Sequence, residues 1–146
     1  MATLTYVKIN DWAENESEAA NTGSDTFVIA LSNTAPGAET TPPTGDGDGV
    51  LANVTEIAYT YCSSRTLTTA SSAQASGTFT LDFNDITLTA SGGAVGPFQY
   101  IYIYDDTVTS PADPIVCYFN YGSAQTLNDG DSMPITFNAS GLYTKA

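Results

Sequence analysis

A chain of 146 residues with a net charge of −13, only three cations and no histidine has room for a hydrophobic core but nothing from which to build a phosphate-binding track. Direct binding to nucleic acid and attraction to an anionic membrane are both disfavoured by sign, and zinc is left without its usual ligands. Thr, Ser, Gly, Ala, Tyr, Val and Ile dominate the composition, which favours strands and turns over helices.

Leu4 to Ile9 alternates as a short strand, with Leu4, Tyr6 and Lys8 on one face and Thr5, Val7 and Ile9 on the other. Asn10 and Asp11 then offer N-caps, and Glu14, Glu16 and Glu18 suit the positive end of a short helix reaching roughly to Ala20, with a thin apolar stripe led by Trp12. The polar, acidic opening twenty residues do not join a basic region to an apolar one, so the chain is expected to be cytoplasmic in origin, without export or a membrane span. Next, "DTFVIALS" reads as a strand with Phe27, Ile29 and Leu31 on one side and Val28 and Ala30 on the other.

The segment from Ala35 to Gly49, rich in Pro, Gly and Asp, has no core period and is expected to be an exposed loop. Its length suggests a partner-binding arm rather than a mere connection. Beyond "LANVTEIAYTY", strand-like runs recur at short spacing, punctuated by "ASG", "ND", "SGGAVGP", "DTVTSPADP" and "NDGDS". In "GTFTLDF", Phe79, Leu81 and Phe83 face inward; in "DITLTA", Ile86, Leu88 and Ala90 do. The pattern predicts an all-β fold, an antiparallel β-sandwich or jelly roll of eight or nine strands with one short N-terminal helix. The whole chain, 1–146, is read as one such domain, carrying an N-terminal segment 1–24 and the exposed loop 35–49.

One strand stands out. In "GPFQYIYIYDD", Phe98, Tyr100, Tyr102 and Tyr104 fall on one face and Ile101 and Ile103 on the other. The isoleucines are expected to enter the sandwich core, with the tyrosines nearer its edge or an intersubunit face. Tyr118, Phe119 and Tyr121 extend the aromatic set. Such residues can stack on sugars or bases, yet alternating aromatics in neighbouring strands more often fill a core or an interface.

Chemistry is sparse in the sequence. Asp46 and Asp48 in "TGDGDGV" are weak candidates for calcium, because the twelfth position counted from Asp46 is Ile57 rather than a bidentate Glu. Asp82/Asp85 and Asp105/Asp106 resemble paired catalytic carboxylates, but all lie at or beside turns, where Asp is favoured for its local hydrogen bonds. Serine and threonine lack a histidine base, no nucleotide-binding fingerprint occurs, and Cys62 and Cys117 are expected to be two free thiols. No enzyme activity and no cofactor are expected.

Three segments together resemble small virion proteins of tailed bacteriophages. "GSDTFVIALSNTAP" is similar to a strand-and-turn signature of that group, "GPFQYIYIYDD" to its "GPFRYxxLYND"-like strand, and "YGSAQTLNDGDSMPITF" to its closing hairpin. The resemblance covers most of the chain in order, and departs from the pattern at Gln99, where a basic residue is common, and in the length of loop 35–49. It implies a capsid decoration, or cement, protein that sits as a homotrimer on the outer surface of an icosahedral head and strengthens joints between major capsid protein subunits. A tail or adaptor component and a glycan-binding virion module are the alternatives. Partner-contact candidates are Tyr6, Trp12, Pro36, Pro42, Pro43, Tyr100, Tyr102 and Tyr104.

Overall fold

The structure is a computed structural model that describes residues 5–146; Leu4, expected to open the first strand, lies outside the described residues. The architecture is all-β with antiparallel sheets and one short helix. Its main sheet has the order β1 (Thr5–Lys8), β7 (Ile115–Leu127), β6 (Val95–Asp105), β2 (Phe27–Ser32). Over it lie two smaller sheets: β3 (Thr69–Ala75), β4 (Thr78–Phe83) and β9 (Tyr143–Lys145) form one, while β5 (Ile86–Thr89) and β8 (Ser132–Ile135) form the other.

Alternation in the sequence decides which side chains meet between these layers. Phe27, Ile29 and Leu31 of β2, Ile101 and Ile103 of β6 and Cys117 and Phe119 of β7 pack against Leu81, Phe83, Leu88, Met133 and Ile135 of the smaller sheets. Ile101 and Ile103 thus occupy the main core, and the tyrosines of the same strand turn to the opposite face. Phe98 departs from the simple alternation. Register shifts on either side of it in the β6–β7 ladder put its ring, fully buried, in the main core with the isoleucines. A shift of one residue moves a side chain to the other face.

The helix α1 (Trp12–Glu18) forms where the N-cap residues and acidic first turn predict it. Its Trp12 is 2% exposed and meets the Phe27 ring edge-on at 6.2 Å, so the helix docks as a lid on the end of the main core. The opposite end of the chain closes over the same place. Trp12 Nε1 donates to the Tyr143 hydroxyl (3.2 Å), that hydroxyl donates to Glu16, and Lys145 pairs with Glu16 at 3.1 Å.

Turn chemistry explains most connections. Ser76 and Gly77 both have positive φ, 51° and 81°, as a two-residue type I′ hairpin between β3 and β4 requires. Asn84-Asp85, which reads as a hairpin turn, is not one: β4 pairs with β3 and β9, β5 pairs with β8, and the dipeptide hands the chain from one small sheet to the other. "PIVCYFNYG" and "AQTL", which read as two runs on either side of Ser123, form the single strand β7. At Gly96 φ is +121° and a Cβ would lie 2.7 Å from the Gln125 carbonyl oxygen, so the first residue of "GPF" has no room for a side chain.

The outer edge of β2 is not left open. Arg65 to Leu67 runs beside it, with Ile29 N donating to Arg65 O and Leu67 N to Phe27 O, and Glu56–Ile57 covers its far end. Arg65 holds this seam by lying over the Tyr59 ring at 3.5 Å and donating to Ile29 O, while the Tyr59 hydroxyl donates to Glu56 (2.7 Å) and receives Leu31 N.

Candidate functional site

The second face of the main sheet carries the aromatic side chains. Val28 and Ala30 of β2, Tyr102 and Tyr104 of β6 and Ile115 of β7 form a smaller apolar cluster with Ile9 and Val54, joined at its margin by Leu51, Tyr100 and Tyr118. What covers it is the segment between β2 and the Leu51–Asn53 helical turn, which contains the Pro/Gly/Asp-rich stretch. Most of that stretch is exposed, as expected, but Pro43 and Gly49 are buried in it, and it is folded down rather than projecting.

Its anchor is Asp11. The sequence nominates this residue as a helix cap, yet its side chain makes no capping bond. Instead Oδ1 accepts Gly47 N at 3.0 Å and Oδ2 accepts Gly49 N at 2.8 Å. Two glycine amides two residues apart thus converge on one carboxylate, so the loop's donors are filled by the protein's own anion. Asp46 and Asp48, the calcium candidates, flank that contact; Asp48 uses its backbone, with its carbonyl accepting Asn53 Nδ2 at 2.8 Å. Among the described residues no three His, Cys, Asp or Glu side chains gather as a metal site.

The remaining candidates divide by burial. Trp12, Pro43, Tyr102 and Tyr104 lie inside the chain and present no surface to a partner in this conformation. Tyr6, Pro36, Pro42 and Tyr100 are partly exposed. Of these, Tyr6 packs edge-on against Phe119 on the main-core side, whereas Pro36 and Tyr100 share a groove on the second face.

That groove, about 500 Å³, is lined by Val7, Ala35, Pro36, Tyr100, Tyr118, Asn120, Tyr121 and Gly122. Strand register builds it: Val7 and Tyr102 both pair with Tyr118, and Thr5 and Tyr100 both pair with Asn120. Tyr100 meets Tyr118 edge-on at 6.5 Å, and the buried Tyr102 ring backs Tyr118 at 5.5 Å. At the groove's end β7 bulges. Between the pairs Tyr100↔Asn120 and Phe98↔Gln125, β6 has one residue and β7 has four. Asn120 pins this bulge, its Oδ1 accepting Gly122 N at 2.8 Å and Gln99 Nε2 at 3.0 Å. Bulges of this kind re-aim side chains beside binding sites.

Two buried polar atoms near the groove have no hydrogen-bond partner: the Tyr102 hydroxyl and Glu39 Oε1. Burial, then the Glu39 charge and the neighbouring Tyr118 and Tyr100, pushes the Tyr102 phenol well above its ordinary pKa, so it stays a neutral donor. Glu39 Oε2 is engaged by Gly37 N at 3.0 Å.

The acidic pairs do not make a second site. Asp85 Oδ1 accepts Phe137 N (2.9 Å), Asp82 Oδ1 accepts its neighbour Phe83 N (2.9 Å), and Asp105 Oδ1 accepts Thr107 N (3.0 Å) and Val108 N (3.3 Å). Asp82 and Asp105 accept from nearby backbone, as turn-associated Asp usually does, while Asp85 ties down the distant Phe137 amide. Cys62 and Cys117 are free, and burial pushes both thiols up in pKa, leaving them poor nucleophiles.

The sequence reading included Tyr100, Tyr118 and Tyr121 among its stacking residues but did not separate them from Tyr102, Tyr104 and Phe119, which are core. It also missed Val7, Asn120 and Gly122. The one usable signal was "FNYG", in which Asn and Gly interrupt an apolar strand where a bulge belongs. No protein-family model, no curated protein and no solved structure matches the chain.

Proposed function

We propose that the protein is a structural component of a tailed-bacteriophage particle: a capsid decoration protein that binds the outside of the head as a homotrimer and bridges major capsid protein subunits. The observation that carries the reading is where the three resembling segments fall. "DTFVIALS" is β2, "GPFQYIYIYDD" is most of β6, and "YGSAQTLNDGDSMPITF" runs through the end of β7 into β8. β2 pairs with β6 and β6 with β7, so the resembling segments supply much of the frame of the fold as well as part of the groove wall, and a likeness that follows the frame suits a protein whose task is mechanical.

Charge supports the same reading. Arg65 and Lys145 are both engaged within the chain, so the acidic excess of −13 is not offset by a basic patch, and such a surface docks on a basic partner. Many weak symmetric contacts on an icosahedral shell then add up to firm attachment. The test is to separate heads from tails of the phage encoding the chain and to identify it by mass spectrometry. The expected result is its presence in heads, in a number set by the shell's symmetry; its presence only in isolated tails overturns the proposal.

A further inference from the structure

The groove between β1, β6, β7 and the Pro36 segment is a preformed concavity that the virion reading does not use, and its chemistry points to a class of ligand. We propose that it binds a neutral saccharide, with Tyr100, Tyr118 and Tyr121 as walls, Pro36 and Val7 as an apolar rim and the Asn120 amide as the orienting group. This inference is independent of where in a particle, or whether in a particle, the protein sits.

Size comes first. About 500 Å³ lies within the usual range of small-ligand sites and suits one to three sugar rings. The lining then selects among ligands of that size. Tyrosine rings offer the C–H-accepting faces on which the apolar side of a pyranose rests, and their hydroxyls offer both donor and acceptor capacity. Among the described residues, the hydroxyls of Tyr100, Tyr118 and Tyr121 make no internal hydrogen bond, so that capacity remains for a ligand. Asn120 is held in one orientation because Gly122 N and Gln99 Nε2 both donate to its Oδ1. Its Nδ2 donors are therefore preset, which lowers the ordering loss on binding.

Charge excludes competitors. No Lys or Arg lines the groove, and the chain carries −13 overall. Phosphates, nucleotides and acidic sugars would enter against that field without a compensating cation. A proline-rich peptide also fits tyrosine-lined grooves, but its prolines carry no N–H donors. The buried Tyr102 hydroxyl and Glu39 Oε1 do not line the groove, and neither is part of the proposal.

The experiment is an NMR titration of the full chain with maltotriose, cellotriose and N-acetylchitotriose, with sialyllactose and a proline-rich peptide as controls. The expected result is that at least one neutral trisaccharide shifts the Asn120 side-chain amide and the Gly122 backbone amide at millimolar concentration, while sialyllactose does not. Tyr118→Ala should weaken that binding about tenfold or more, and Tyr118→Phe, which keeps the ring, by less. Circular dichroism of both variants separates lost binding from lost fold; if Tyr118→Ala unfolds, Tyr121→Ala at the groove mouth takes its place. No shift with any neutral saccharide, equal binding of sialyllactose, or shifts produced by the peptide alone overturns the proposal.

Discussion

The two faces of the β1–β7–β6–β2 sheet are closed by different means, though the same strands supply both. On one, Phe98, Ile101 and Ile103 meet the side chains of two further sheets in close packing dominated by aliphatic and phenyl groups, and among the described residues no buried side-chain nitrogen or oxygen of that cluster lacks a partner. On the other, Tyr100, Tyr102 and Tyr104 lie under an irregular segment held by a few hydrogen bonds, leaving a groove and two unpartnered polar atoms. Tyrosine suits the second arrangement because its ring can be buried while its hydroxyl keeps the option of a partner. One face holds the larger core, and the other carries the groove.

The sharpest way to break this comparison is to cut one buried aliphatic side chain back to Ala on each side, three carbons from Ile103 and two from Val54. Ile103, fully buried between the sheets, should lose about 2–5 kcal/mol on replacement by Ala, the usual range for a core isoleucine. Val54→Ala, in the apolar cluster of the other face just beyond the covering segment, should lose about 1–2 kcal/mol, near the transfer value of the methyl groups removed. Denaturant melts of both variants check the order. Equal losses would mean that this cluster is as tightly packed as the sandwich core.

Asp11 tests how the second face is held shut. Its carboxylate receives two glycine amides, and charge-assisted bonds of this kind are each stronger than neutral ones. Asp11→Ala should cost about 1–3 kcal/mol, and the loss should be local. Hydrogen exchange is expected to quicken at Gly47, Gly49 and the turn around Leu51, while amides of β6 keep their protection. Uniform quickening would show instead that Asp11 supports the whole fold.

Period-two alternation made the main core legible in advance: the inward residues of β2, β4 and β5 and the isoleucines of β6 could be read directly from spacing, because one buried face fixes register. The second face was not legible for the same reason. Its cover has no period, and nothing in "TGDGDGV" announces that two of its glycine amides will receive a carboxylate from a residue as distant in sequence as Asp11. Asp11 looks like a cap locally and is drawn away by a tertiary contact. The groove depends on a bulge, and a bulge is invisible to a reading that assumes unbroken alternation; Phe98 and Asn120 are where that assumption failed.

A titration distinguishes the end of β6 from its middle. Asp105 is fully buried, and its Oδ2 has no partner; burial, then the neighbouring Asp25, raises its pKa to about 6 against the amides of Thr107 and Val108 that lower it. Asp113, also raised by burial and by Asp106, acts in the same direction. Because the folded-state pKa lies above the unfolded value of about 3.9, the folded form holds a proton that the unfolded chain has already lost. The stabilising contribution is therefore complete below about pH 4 and is lost as pH rises through about 6. Thermal stability should fall across that window, and Asp105→Asn should flatten the fall and raise the midpoint at neutral pH by a few degrees. The asparagine keeps an acceptor for the two amides and brings Asp25 a donor. An unchanged slope would assign the pH dependence to general repulsion among the acidic residues.

The smallest expected effect is at Tyr102, and its sign is what matters. The ring is completely buried and packs against Tyr118, so Tyr102→Phe preserves the apolar contact and removes only a hydroxyl that has no partner. Taking an unsatisfied donor out of a buried site relieves its desolvation penalty, and the variant should be unchanged or more stable by up to about 1 kcal/mol. If the hydroxyl instead holds an ordered water shared with Glu39, the variant loses stability, and Glu39→Gln should cost clearly less in the Phe background than in the native one. A destabilised Tyr102→Phe would place a hydrogen-bond network under the tyrosine face, making it as specifically built as the core, and would give the groove above it a rigid floor.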